Sequence, residues 1–140
     1  MPDLLDGVAR YLMARGHVTY DPTGLAGDCF IESAPSTPDA CVVLTVYDDG
    51  AETDSQIGYD DVPVQVKGRG GTDPRVSRAR VQAIRDELLG LGETLLPDGT
   101  YLLLCLGNAA VAGLGVDDNR RHEHVANLKL RIRSATTHRV

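Results

Sequence analysis

The chain has 140 residues, of which 42% are hydrophobic, so it can bury the core of one domain without metal ions or disulfide bonds. Its formal net charge of −6 argues against a general nucleic-acid binder, because such proteins neutralise phosphates with clustered lysine and arginine. The three cysteines lie within or beside apolar runs, which predicts buried thiols in a reducing compartment, and one disulfide pair stays open as an alternative. The N-terminus lacks a signal peptide and no apolar run reaches about 20 residues, so we expect the chain to stay in a cytoplasm.

The first half of the chain predicts one helix followed by two strands. Asp3 is placed to cap a helix that Gly16 ends. The apolar residues of this helix recur at helical spacing, and they are Leu4, Leu5, Val8, Leu12 and Met13. Residues 29–31 and 41–47 are rich in apolar and β-branched side chains, and we expect them to form an antiparallel pair of strands.

An acidic segment follows these strands. Residues 48–61 contain six carboxylates and no basic side chain. A connection of this length in a compact fold is usually functional or disordered, so we predict a mobile loop. After it, Val62, Val64 and Val66 alternate with other residues at the period of a strand, and Pro63 indicates a strand end or a sheet edge.

The second half of the chain begins with a helix. Asp73 is a capping residue and Pro74 suits the first helical turn. The predicted inner face of this helix consists of Val76, Ala79, Ala83, Ile84 and Leu88. Beyond it we expect a covered apolar strand, a loop, a last strand with apolar and basic sides, and a polar tail, at residues 101–106, 108–121, 123–133 and 134–140 respectively.

This order of elements, α-β-β-β-α-β-β, predicts an α+β fold in a single domain that spans residues 1–140. We expect a mainly antiparallel sheet of four to five strands with two helices packed on one face.

Two short motifs could suggest chemistry. The glycine turn at residues 67–72 precedes a helix, but a phosphate loop needs lysine and serine or threonine where Asp73 and Pro74 stand. His122 and His124 share one face of a strand, and a small metal-dependent enzyme that uses them remains an alternative. No nucleophile elbow occurs. We therefore predict no catalytic, cofactor-binding or metal site.

The acidic segment and the basic side of the last strand are instead the candidate interaction surfaces. In a ring, the basic strand of one subunit could meet the acidic segment of its neighbour, because a closed heterologous interface needs two unlike surfaces. The candidate interface residues are Asp48, Asp49, Glu52, Asp54, Asp60, Asp61, Lys129, Arg131 and Arg133.

These elements together resemble the minor capsid or tail-completion proteins of tailed bacteriophages, the group that contains the tail terminators. The resemblance covers nearly the whole chain. It rests on the first amphipathic helix, the strand V-P-V-Q-V-K-G-R-G-G, the helix that opens T-D-P-R-V, the turn L-P-D-G with its apolar strand, and the final R-H-E-H-V-A-N-L-K-L-R-I-R.

The resemblance implies a structural protein of the virion and no enzymatic step. Such a protein forms a hexameric ring on the head-proximal end of the tail tube, ends tube polymerisation and docks the tail to the head connector. The implied partners are copies of itself, the tail tube protein and the connector protein, with no cofactor and no membrane. A lone subunit can be a monomer, and assembly takes place in the host cytoplasm.

DNA passes through the lumen of such a ring without specific binding, and an acidic chain avoids the phosphate contacts that would hinder it. A head-side completion or stopper protein of the connector is the nearest alternative, since it also forms a ring of small subunits.

Overall fold

A computed structural model describes residues 3–140 of the chain. Within that range the chain forms two helices and seven strands: α1 (Leu4–Ala14), β1 (Cys29–Ile31), β2 (Cys41–Val46), β3 (Tyr59–Arg69), α2 (Pro74–Leu88), β4 (Thr94–Leu95), β5 (Tyr101–Gly107), β6 (Ala112–Val116) and β7 (His122–Arg133). The strands form one sheet in the order β1-β2-β3-β7-β5-β4, and β6 pairs with β7 beside β5. The α+β class is confirmed, but the sheet is larger than the four to five strands predicted.

The sheet is mixed because β1 and β2 run parallel, with Cys29 opposite Val42. The prediction of an antiparallel pair is therefore wrong. β1 has only three residues, so the connection at residues 32–40 can run back along it and start β2 at the same end. The Arg69 guanidinium fixes this connection by donating three hydrogen bonds to its backbone carbonyl groups, over 2.8–3.0 Å.

The longest ladder joins β3 and β7, from Tyr59 opposite Arg133 to Arg69 opposite Glu123. Both strands are interior, so β3 is not the sheet edge that Pro63 could indicate. Pro63 fits an interior strand because it lies opposite the end of β2, where the Tyr47 amide donates to its carbonyl over 3.1 Å. The ladder also takes Tyr59 and the two residues after it out of the predicted loop, which shortens the β2–β3 loop to residues 47–58.

Both helices contribute to one core on one face of the sheet, as predicted. The core contains Leu5, Val8 and Leu12 of α1, Ile84 and Leu88 of α2, and Leu44, Val64, Val66, Leu128 and Leu130 of the central strands. The capping predictions are also confirmed. Asp3 accepts a hydrogen bond from the Asp6 amide over 3.3 Å, and Asp73 accepts one from the Arg75 amide over 3.0 Å.

The packed face of α2 differs from the predicted one. Val76, Ala79 and Ala83 are exposed, as is Met13 in α1, and the buried residues of α2 are Ser77, Val81, Ile84 and Leu88. The helix is turned this way because β3 presents glycine beneath it. A Cβ atom built on Gly68 would lie 2.5 Å from a methyl group of Val81, so this close approach requires glycine.

Two segments that we predicted as irregular are ordered. The expected loop at residues 108–121 contains β6, which forms a hairpin with β7. The polar tail packs against the β2–β3 loop. No helix within residues 3–140 is long and apolar enough to cross a membrane.

Candidate functional site

The structure brings the acidic segment and the basic side of β7 together inside one subunit. The Lys129 ammonium lies 3.0 Å from the Asp49 carboxylate. Arg131 donates two hydrogen bonds to Asp61, over 2.8 and 3.1 Å. The strand register explains the second pair, because Asp61 lies directly opposite Arg131 on the neighbouring strand. The predicted contact between these groups of two subunits would compete with pairs already formed within each.

Arg133, the third basic residue of this set, lies at the end of the same ladder. Its guanidinium donates to the Gly58 carbonyl over 2.7 Å and stacks over the Tyr59 ring, 4.8 Å from the ring centre. The residue therefore closes the β2–β3 loop onto the sheet, and these neutral partners do not cancel its positive charge.

The C-terminal tail completes this surface. Arg139 donates to the Asp60 carboxylate over 2.8 and 3.1 Å, and to backbone carbonyl groups of the loop and of β3. Val140 donates its amide to the Gln56 carbonyl over 3.1 Å and accepts from the Gly58 amide over 2.9 Å. The sequence carried no signal for this contact, because the residues that meet are about 80 positions apart.

These contacts set the protonation of the acids involved. The hydrogen bonds from Arg139 hold the pKa of Asp60 below its ordinary value, and those from Arg131 do the same for Asp61. Backbone amides of the loop lower the pKa of Asp54, whose carboxylate accepts over 2.8 and 2.9 Å. The carboxylates are therefore ionised at neutral pH.

The remaining acids face solvent. Asp48, Glu52 and Asp54 are exposed and lie outside the ion pairs described above. A depression of about 480 Å³ separates the loop from the β3–β7 ladder, and acids of both elements line it. This arrangement gives one end of the molecule a negative surface that can attract a basic partner.

The two candidate metal ligands lie near the start of β7, where His122 is half-buried and His124 is engaged by another residue. The Nδ1 atom of the buried His124 lies 2.7 Å from the Ser77 hydroxyl, and burial lowers the pKa of this histidine. Glu123 points to the other face, 3.3 Å from Lys67. In the described part of the chain, no group of three or more histidine, cysteine, aspartate or glutamate side chains could hold a metal ion.

The thiols are free and buried, as expected for structural cysteines. Burial raises the pKa of Cys29 to about 12 and that of Cys105 to about 11. At neutral pH these groups are therefore protonated thiols, which are poor nucleophiles.

Two further surfaces of the protein were not predicted from the sequence. β6 exposes apolar side chains. Its two glycines weaken the strand pattern, so the sequence did not indicate this strand. An apolar groove of about 830 Å³, lined by Leu4, Val46, Val62 and Ile132, lies beyond the N-terminus of α1. It forms only where these strands and the helix meet, so no local pattern in the sequence signals it.

The fold thus defines a small α+β protein in which two helices cover one sheet face and charged surfaces lie at its ends. The chain matches the model of the family "Bacteriophage tail terminator protein" over residues 11–133, from the middle of α1 to the last residue of β7. It belongs to this family of phage tail proteins, which confirms the resemblance seen in the sequence and gives the chain a structural role in the tail.

The chain also has a fold similar to that of solved structures. A chain in the virion of native gene transfer agent particle aligns with a TM-score of 0.57 and 16% sequence identity. The alignment covers 94% of this chain and 95% of that chain, so the two share the whole fold. Among curated proteins, none matches the chain in sequence.

Proposed function

We propose that the chain caps the head-proximal end of a phage tail tube as a ring, which is a homohexamer in the virion. There it ends tube polymerisation and docks the tail to the head connector protein. The observation that carries this proposal is the family match, because it spans nearly all of the described elements. The protein would then reside at the head–tail junction, after assembly in the host cytoplasm.

The charge distribution supports a ring of identical subunits. β3 has 11 residues and so spans about 35 Å. At its start, residues 48–61 contain six acids and no base, and at its end, residues 67–80 contain five basic residues and one acid. A subunit with unlike ends can contact its neighbours head to tail, and such contacts form a ring when the rotation between successive copies closes.

The exposed acids of the β2–β3 loop are the groups that we assign to contact with a neighbour, the tube or the connector. Asp48, Glu52 and Asp54 are available, whereas Asp49, Asp60 and Asp61 first stabilise the loop within the subunit. The acidic character of the chain also suits a lumen through which DNA passes without specific contacts.

The test is to mix the protein with polymerising tail tube protein and to measure tube lengths by electron microscopy. We expect shorter tubes with ring-shaped density at one end. Tubes that keep growing, with bare ends, would reject the proposal. Binding to the isolated connector protein without capping of tubes would instead identify a head-side completion protein.

A charge variant tests the assigned loop. Asp48→Asn with Glu52→Gln should raise the protein concentration needed for capping, with a smaller difference at high salt. Asp86→Asn with Glu93→Gln removes the same charge from exposed positions elsewhere and serves as the control. Equal capping by the two variants would remove the loop acids from the contact.

A further inference from the structure

β6 belongs to an uncharged, exposed stretch of the chain. Residues 107–116, G-N-A-A-V-A-G-L-G-V, contain no charged side chain and no proline. Leu114 and Val116 are 58% and 55% exposed. One edge of β6 pairs with β7, and the other edge has no strand partner within residues 3–140. Natural proteins usually blunt such an edge with charges or proline, so an uncharged edge indicates a surface that becomes covered.

The apolar groove defined above is the concave counterpart of this strand. It lies on the helix-bearing face of the sheet, where neither α1 nor α2 covers the end of β2. Val46, at that end, is 42% exposed, although Leu44 on the same face of the strand is buried. The rim of the groove carries Asp3, Glu32 and Arg133, together with Asp60, which is paired with Arg139.

A subunit cannot fill its own groove with its own β6. β6 is paired with β7 residues 122–125, whereas the groove lies at β7 residues 132 and 133. At least seven residues separate these positions, which is about 23 Å along an extended strand. The continuous ladder with β3 holds β7 straight over this distance, so the occupant must come from another molecule.

The ring of the proposed function selects a second copy in head-to-tail orientation as the occupant. β6 lies at the opposite end of the subunit from the groove, since its Gly113 pairs with His124, which in turn pairs with Gly68 near the end of β3. The groove lies near the start of β3. Seating β6 of one copy in the groove of the next is a heterologous contact that can repeat around a ring, whereas contact between two β6 edges is isologous and stops at a dimer.

We propose that β6 of one subunit docks in the apolar groove of the next, and that this contact is the repeating interface of the ring. The inference rests on the ring of the proposed function and specifies which surfaces build it. Leu114 and Val116 supply the apolar contact, and the placement of β6 and the groove at opposite ends sets the orientation. The contact is heterologous, so it repeats from copy to copy until the ring closes.

The test uses one variant for each half of the interface, measured by light scattering. Leu114→Asp damages the strand and Val46→Asp damages the groove, and both positions are exposed, so each variant should fold. We expect the wild type to form multimers and each variant alone to be a monomer. An equal mixture should give a dimer of twice 15.0 kDa and nothing larger, because each variant keeps one intact half.

Two outcomes of this test would contradict the proposed interface. A mixture that stays monomeric, or Val46→Asp chains that still form multimers, would overturn the inference. Leu25→Asp, at an exposed position away from both surfaces, is the control and should associate like the wild type.

Disulfide trapping detects the contact even if it is too weak to hold multimers together during light scattering. A chain with Leu114→Cys and Val46→Cys should form a covalent ladder of multimers on mild oxidation, since its native cysteines are buried. The two single variants, when mixed, should give only a dimer that joins residue 114 to residue 46. Absence of this bond at high protein concentration and on capped tubes would overturn the inference.

The same reagents separate this inference from the capping role. Capped tubes without the bond between residues 114 and 46 would leave the proposed function intact and reject the interface. If Val46→Asp also abolished capping in that case, the groove of this chain would be assigned to contact with the tube protein. Trapped multimers that fail to cap tubes would support the interface and reject the capping role.

Discussion

Two valines of α2 offer a direct test of which helix face is packed. The Val81 side chain is fully buried, whereas Val76 is 56% exposed. Val81→Ala removes two buried carbon atoms, which costs about 1.6 kcal/mol of transfer free energy at ~0.8 kcal/mol each. The cavity raises the cost to about 2–3 kcal/mol, and the better helix propensity of alanine returns about 0.5 kcal/mol.

The net expectation is that Val81→Ala lowers the free energy of unfolding by about 2 kcal/mol. Val76→Ala loses little burial and gains the same propensity, so it should change stability by less than about 0.5 kcal/mol. With a urea dependence of about 1–3 kcal/mol per M, the difference shifts the unfolding midpoint by about 1 M. Equal midpoints, or a larger loss for Val76→Ala, would refute the helix orientation and the assignment of Val76 to the outer surface.

Three further predictions concern close packing and the docked tail. Gly68→Ala should destabilise the protein in the same urea assay, because its Cβ would lie 2.5 Å from a Val81 methyl group. Adding Val81→Ala to this variant should recover part of the lost stability. If the two losses of stability were fully additive, the contact between these residues would be contradicted. Arg139→Ala should speed amide hydrogen exchange in the β2–β3 loop without lowering exchange protection in the core, whereas Arg120→Ala, at an exposed turn, should leave the loop unchanged. Since the pKa of Asp60 is lowered in the folded state, its ionised form stabilises the docked tail above the unfolded value of about 3.9, and this contribution is lost as the pH falls through the folded pKa. NMR shifts of the loop should therefore stay constant from about pH 8 to about pH 5 and change below about pH 4, and a transition near neutral pH would contradict the assignment.

Local patterns in the sequence predicted the elements whose causes are local. Asp3 and Asp73 cap their helices because the free amides lie within three residues of each carboxylate. The alternation of Leu128, Leu130 and Ile132 with basic residues placed β7 correctly, since side chains of a strand alternate between faces. Family membership was also visible, because the order and length of these elements extend over nearly the whole chain.

The helix face shows where such reasoning fails. Periodicity gave α2 an apolar stripe through Val76, Ala79 and Ala83, but these small side chains are exposed. Ser77 is buried in their place because His124, on a strand 47 positions away, accepts or donates its hydrogen bond. A polar residue can face the core when a distant residue satisfies it, and the local pattern carries no sign of that partner.

The candidate interaction surfaces were also determined partly by local sequence and partly by the tertiary structure. The sequence by itself identified the acidic segment and the basic side of β7 as the charged groups that matter, because charge is a property of each residue. Only the tertiary structure decided that Lys129 and Arg131 neutralise Asp49 and Asp61 within one subunit. It also placed Arg139 on the β2–β3 loop and formed the groove around Val46. Strand register and chain crossing determine which residues become neighbours across the sheet, and these are set by the packing of the whole core rather than by any short stretch of sequence.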